Sequence, residues 1–189
     1  MLVSKRVVRP FSDPRWEFEL KWDGYRAIVT ISNGRFVVMS RNANDLTDRF
    51  PSLAGLQSDV HGHEVVLDGE IVVFDKDGNP DFLGVARRRP ATFIAFDVLV
   101  DNGVEVVRRV LEERRAILER VVPTDTRRIM RSRSFGSDGL TLWAEIVSRG
   151  LEGMVAKRRG SLYRPGERTR DWLRIKTGAA RASERERFR

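Results

Sequence analysis

RWEFELKWDGYRAIVTISNGRFVVMS, residues 15–40, is the stretch from which the rest of the chain can be read. Its first part alternates: Trp16, Phe18 and Leu20 fall on one side of an extended chain, and Glu17, Glu19 and Lys21 on the other. That pattern predicts a half-buried strand ending at Lys21 on its polar face. In the second part, YRAIVTIS and RFVVMS flank Asn33-Gly34, and Asn-Gly accepts the left-handed angles of a two-residue hairpin turn. Between the two parts lies K-x-D-G-x-R, made by Lys21, Asp23, Gly24 and Arg26. Glycine there allows a sharp turn and the close approach of a ligand, Arg26 suits a ribose or phosphate oxygen, and Lys21 stands at the mouth of a pocket. Taken alone, the six residues also fit a turn carrying a surface ion pair.

The identity of that lysine is informative. Of 35 basic residues only Lys5, Lys21, Lys76, Lys157 and Lys176 are lysine, and the others are arginine. Arginine stays protonated and binds phosphate, whereas lysine can shed its proton and attack. Positions that keep lysine here are therefore candidates for work arginine cannot do. The net charge of +8 suits a polyanionic partner, nucleic acid first, and equally suits a solvated arginine-rich surface. Without cysteine the chain has no disulfide framework and no thiolate metal site. No stretch approaches the roughly 18 consecutive apolar residues of a membrane span. Neither does the N-terminus read as a signal peptide, so a cytoplasmic protein is expected, associated with the nucleoid when on DNA.

Outward from residues 15–40, RFPSLAGLQSDV reads as a short helix starting near Pro51, EVVLDGEIVVFD as a strand, KDGNP as a turn and ATFIAFDVLV as a strand. RRVLEERRAILERVV has helical spacing at Val110, Leu111, Arg114, Ile117, Leu118 and Val121, with arginine and glutamate on its outer face. RRIMRS is a short strand. SDGLTLWAEIVSRG is a helix with a Ser or Asp cap and a glycine stop, and GMVAKRR and DWLRIKT are the last strands. Residues 178–189, GAARASERERFR, have no apolar face and are expected to form a basic flexible tail. The fold class is α+β, mostly antiparallel strands with helices packed outside.

Four further stretches belong with K-x-D-G-x-R. SRNANDLT places Arg41 after a strand, and LDGEIVVFD places Glu70 two residues beyond Asp68. FIAFDVL carries Phe96. LEGMVAKRR with DWLRIK supplies Glu152, Lys157, Arg174 and Lys176. In this order and spacing the set resembles the motifs of the covalent nucleotidyltransferases: ATP-dependent DNA ligases, RNA ligases and mRNA-capping guanylyltransferases. SRNANDLT, FDVL and LYRPGERTRDWLRIK look closest to the ligase module of bacterial end-joining repair proteins. The resemblance runs from about Trp16 to Lys176. It implies a ligase-type, ATP-grasp-like nucleotidyltransferase core over residues 1–177.

By that resemblance Lys21 attacks the α-phosphate of ATP, releases pyrophosphate and becomes a lysyl-AMP phosphoramidate. A free lysine has a pKa of about 10.4, and neighbouring Arg174, Lys176 and a bound metal would favour its neutral form. Glu19 resembles the position whose neighbourhood reads the adenine edge. Arg26 and Glu70 resemble the ribose contacts, Arg41 a phosphate contact on nucleotide or nicked DNA, and Phe96 the aromatic that stacks on the base, with core packing as the alternative for Phe96. Glu152 resembles the carboxylate near a divalent Mg²⁺ or Mn²⁺. Lys157 reads either as a metal-side phosphate contact or as a solvated lysine. Arg174 and Lys176 resemble the pair that grips the α-phosphate. The first is usually lysine in the family, and arginine keeps the charge with a different hydrogen-bond geometry. His61 and His63 in HGHE are a weaker metal candidate, and Arg87, Arg88 and Arg89 are candidate DNA-phosphate contacts or a solvated turn.

Two departures from the family stand out. DFLGVARRRPATFIAF is short where relatives place a longer helical insertion, and residues 177–189 cannot form the OB-fold domain that normally follows. The expectation is therefore an adenylyltransferase core without an OB-fold domain, acting on nicked or broken DNA, with an OB-fold or DNA-end-binding protein supplied in trans. The alternatives are an RNA ligase, a GTP-using capping-type enzyme, and a basic nucleic-acid-binding module without turnover.

Overall fold

The alternation in residues 15–40 becomes strands in the computed structural model, which describes residues 1–4, 9–86, 89–178 and 180. The chain divides into two compact units, Met1–Trp22 with Arg133–Arg189, and Asp23–Ser132. The first boundary falls inside K-x-D-G-x-R, with Lys21 in one unit and Asp23, Gly24 and Arg26 in the other.

The first unit is a four-stranded sheet in the order β1-β10-β9-β2. Strands β2 (Trp16–Leu20) and β10 (Arg168–Lys176) flank β9 (Gly153–Arg158) and run antiparallel to it, while β1 (Leu2–Ser4) pairs parallel with β10. Period-two alternation separates the faces. One face carries Phe18, Met154, Ala156 and Ile175, which pack with Leu142 and Ile146 of helix α3 (Gly139–Ser148). Asp138 caps α3 by accepting the Thr141 N–H at 3.2 Å, and Gly150, at φ 64°, follows its end. On the other face, cross-strand rows read Glu17–Lys157–Trp172 and Glu19–Val155–Arg174. That face differs from the half-buried expectation, since Glu17 and Glu19 are 5% and 2% exposed. Each carboxylate has a cation beside it, the exposed Arg159 for Glu17 and the buried Lys157 for Glu19, which is what makes burial of the charge tolerable.

The second unit is a sheet in the order β4-β3-β5-β6-β7, with β8 parallel to β6. Strands β3 (Tyr25–Ser32) and β4 (Arg35–Ser40) form the predicted hairpin, and Asn33 and Gly34 take φ of 52° and 71°. The long central strands are β5 (Glu64–Val73) and β6 (Ala91–Asp101); β7 (Val104–Glu105) and β8 (Ile129–Arg131) are short. Ala27, Val29, Ile31, Leu67, Ile71, Phe93 and Ala95 make one apolar face, covered in part by Leu118 and Val121 of helix α2 (Leu111–Val121). Helix α1 (Phe82–Ala86) is a short piece within DFLGVA.

One expectation needs correction in this unit. RFPSLAGLQSDV is not a helix but part of a series of three 3₁₀ turns, Thr47–Arg49, Pro51–Leu53 and Leu56–Asp59. Gly55, at φ 84°, and extended Ala54 break the helical run, while Phe50, Leu53 and Leu56 still reach the core. In α2, Arg114 holds the stripe position that its helical spacing gives it, fully enclosed with Asp97. The tail beyond residue 180, Arg87 and Arg88 lie outside the described residues.

Candidate active site

Lys21 stands directly after β2, where its N–H donates to the Gly153 carbonyl at 2.9 Å. Its Nζ is 2.6 Å from Oε2 of Glu152, and Nζ of Lys176 is 2.7 Å from Oε1 of the same carboxylate. One carboxylate thus bridges two ammonium groups donated by opposite neighbours of β9. The three side chains retain 21%, 11% and 10% exposure for Lys21, Lys176 and Glu152, so the cluster is shielded without being sealed.

Gly153 is what places the carboxylate there. It pairs in register with Lys176, and a Cβ on it would come within 2.1 Å of the Ile175 carbonyl oxygen. The bare backbone lets β9 begin hard against β10, so that Glu152, one residue earlier, meets both lysines. Gly153→Ala is expected to destabilise the protein by about 1–3 kcal/mol, the usual cost of overpacking, and to disperse the lysine cluster. Thermal melting and nucleotide labelling of the same sample measure both effects.

Arg174 lies on the same face as Lys176, two residues earlier and in the row of Val155 and Glu19. Lys157 is not the solvated lysine that its sequence context allowed. Its side chain is 2% exposed, with Nζ 2.7 Å from Oε1 of Glu19 and 4.4 Å from the centroid of the Trp172 ring. Its cross-strand partner Trp172 in turn meets Tyr163 edge to face.

The second unit gathers another group. The Arg26 guanidinium forks onto Asp68, with Nε to Oδ1 at 2.9 Å and Nη2 to Oδ2 at 2.5 Å, and Asp68 is fully buried. The same guanidinium lies 5.1 Å from the centroid of the Phe96 ring, and Glu70 is the register partner of Arg26 on β5. Gly24 is required by contact, because a Cβ there would sit 2.1 Å from the Ile71 carbonyl oxygen and 3.1 Å from Cγ of Glu70. Phe96 is half-buried and stands apart from the core to which Phe93 and Ala95 belong, so core packing does not explain it. Arg41 is exposed in a turn whose Asn42 and Asn44 N–H groups donate to Oγ of Ser40, and it makes no ion pair among the described residues.

Asp68, Gly153 and Trp172 join these groups without being among the candidate residues of the sequence motifs. Asp68 was within reach: it lies two residues before Glu70, hence on the same strand face. No local signal marks the other two. The donors fit a divalent cation of one kind. Among the described residues no three or more His, Cys, Asp or Glu side chains gather to hold a metal, and His61 and His63 are exposed ahead of β5. A single carboxylate such as Glu152, whose oxygens each keep a second lone pair, suits Mg²⁺ held mainly by phosphate and water.

Mostly antiparallel sheets flanked by a few helices make this a nucleotidyltransferase-type fold, and the lysine cluster is sited on its polar sheet face. Residues 3–176 match the model for the ATP dependent DNA ligase domain, and the chain belongs to that family as an adenylation domain. It is similar to the multifunctional non-homologous end joining protein LigD of Mycolicibacterium smegmatis, at 34% identity over 93% of this chain and 23% of that protein. The SPbeta prophage-derived DNA ligase-like protein LigB of Bacillus subtilis is 28% identical over 92% of this chain and 66% of its own length. Among solved structures, the ligase domain of Mycobacterium tuberculosis LigD superposes with a TM-score of 0.81 at 34% identity, covering 93% of this chain and 58% of that one. A mycobacterial DNA ligase D complexed with ATP and MES gives 0.81 at 32% identity, covering 92% and 59%. The chain spans about a quarter of the length of the LigD relative. RNA ligases and capping enzymes are not favoured by these likenesses. No helix among the described residues is long and apolar enough to cross a membrane.

Proposed function

We propose that this chain adenylylates itself at Lys21 and passes the AMP to the 5′-phosphate of nicked or broken DNA. The observation that carries the reading is the Glu152 carboxylate spanning Lys21 and Lys176 at 2.6 and 2.7 Å. Attack requires the neutral amine, and Oε2 of Glu152 is the acceptor beside the proton that must leave Nζ. The Nζ–P bond forms as the bond from the α-phosphorus to the bridging oxygen breaks, and pyrophosphate departs. Lys176 and Arg174 stabilise the charge on the α-phosphate oxygens. Arg26 and Glu70 hold the ribose, Phe96 stacks on the base, and Arg41 contacts phosphate on nucleotide or DNA. Glu19 belongs to the adenine-reading neighbourhood through its carboxylate, which Lys157 orients. A Mg²⁺ or Mn²⁺ ion bound with the nucleotide, with Glu152 as its protein carboxylate, supplies charge neutralisation. In the following steps a DNA 5′-phosphate takes the AMP from Lys21, and an adjacent 3′-OH displaces AMP to seal the strand.

The test is labelling with α-labelled ATP or GTP in the presence of Mg²⁺ or Mn²⁺, followed by denaturing electrophoresis. Label from ATP that survives denaturation and disappears with EDTA is expected. Label from GTP at equal efficiency, or none from ATP under any metal condition, would overturn the reading.

A further inference from the structure

The ion pair between Arg114 and Asp97 has no part in the chemistry above, yet it is among the most completely buried polar pairs in the chain. Side-chain exposure is 0% for Arg114 and 1% for Asp97. Nε donates to Oδ1 at 2.8 Å and Nη2 to Oδ2 at 3.0 Å, while Nη1 donates to the Arg109 carbonyl at 2.7 Å. Oδ1 of Asp97 also accepts the Val98 N–H at 3.0 Å. A buried charge pair is a poor route to stability, because apolar residues of similar volume often serve as well, so its geometry needs another explanation.

That explanation lies one residue away. Strands β5 and β6 pair Asp68 with Asp97 and Gly69 with Ala95, which leaves Phe96 as the extra residue of a β-bulge. The bulge shifts the alternation of β6: Phe93 and Ala95 belong to the core before it, and Val98 belongs to the same core after it. Without the shift Asp97 would follow Ala95 into the apolar face. With it, Phe96 leaves the ladder and lies against Arg26.

The same register sets two buried carboxylates, Asp68 and Asp97, directly opposite each other. Like charges in that relation repel, and each is taken by its own guanidinium, Asp68 by Arg26 and Asp97 by Arg114. If Asp97 lost its partner, Arg26 would be drawn toward two carboxylates instead of one. We infer that Arg114 is a positioning residue for nucleotide binding: through Asp97 it pins the β6 bulge, and so aims Phe96 and keeps Arg26 on Asp68. The inference rests on the proposed reading of Phe96 as the base platform.

The test compares KM for ATP and kcat of adenylylation in five proteins: the parent, Phe96→Ala, Arg114→Met/Asp97→Asn, the triple combination, and Arg114→Lys. The double variant removes both charges and keeps an acceptor for the Val98 N–H. Its melting temperature should stay near the parent's while KM rises about tenfold, the size expected for impaired stacking, with little change in kcat. In the Phe96→Ala background the same double change should have no further effect on KM. Arg114→Lys keeps the charge without the fork; it should fold and raise KM by a smaller factor, so the question stays open to measurement even if the double variant does not fold. A parent-like KM in the double variant and in Arg114→Lys, alongside a raised KM in Phe96→Ala, would overturn the inference and leave the proposed function standing. Equal KM effects with and without Phe96 would overturn it too. A Phe96→Ala protein with unchanged KM would remove the base-platform reading itself.

Discussion

Lys21→Ala is expected to carry no nucleotide after denaturation, with labelling at least about three orders of magnitude below the parent. Nothing else in the cluster can replace the amine at that point, because Lys176 occupies the far oxygen of Glu152. Lys21→Arg is the sharper version. It keeps a cation for Glu152 at Oε2, so folding and the ion pair are retained, yet guanidinium does not give up its proton in a protein. Equal loss in both variants assigns the chemistry to the amine rather than to its charge. Both should still melt near the parent temperature, since Lys176 keeps its place on Oε1 of Glu152. Label at parental level in either variant would move the nucleophile elsewhere, with Lys157 and Lys176 the next to substitute.

Lys157→Met should have the largest effect on stability. It takes from the Glu19 carboxylate, 3% exposed, the ammonium now 2.7 Å away. Breaking a buried pair by removing one partner costs about 3–5 kcal/mol. For a chain of this length that is a fall of roughly 10 °C in melting temperature. Glu19→Leu/Lys157→Met should recover most of it, because two apolar side chains then replace the charge pair, the one at 157 against Trp172. The double variant also separates structure from chemistry. If Lys157 serves only to hold Glu19, the double variant and Glu19→Leu should show the same rise in KM for ATP. If Lys157 touches phosphate itself, the double variant should label more poorly than Glu19→Leu. A melting temperature for Lys157→Met within a degree of the parent would refute the buried-pair account.

Much of the site was legible because its signals are local. The alternation of Trp16 to Lys21, the Asn33-Gly34 turn and the spacing of Arg174 and Lys176 each depend on residues close in sequence. Choosing lysine over arginine at position 21 is a chemical statement that needs no fold. Local signals do not decide the conformation of residues 50–60. Residues 50–60 have helical composition, but Gly55 in a left-handed conformation interrupts them, and tertiary burial of Phe50, Leu53 and Leu56 selects short turns.

The sequence by itself determined the strand periods, the hairpin, the polar face that carries Glu19 and Lys21, and the five motifs in order. Only the tertiary structure decided that Glu152, 131 residues from Lys21, holds that lysine and Lys176 together. It alone decided that Lys157 is buried on Glu19, and that a bulge sends Phe96 out of its ladder. The physical reason is the range of the forces. Periodicity and turn geometry are set by neighbouring residues, whereas the pairing of buried charges and the register of a bulge depend on which distant strand arrives alongside.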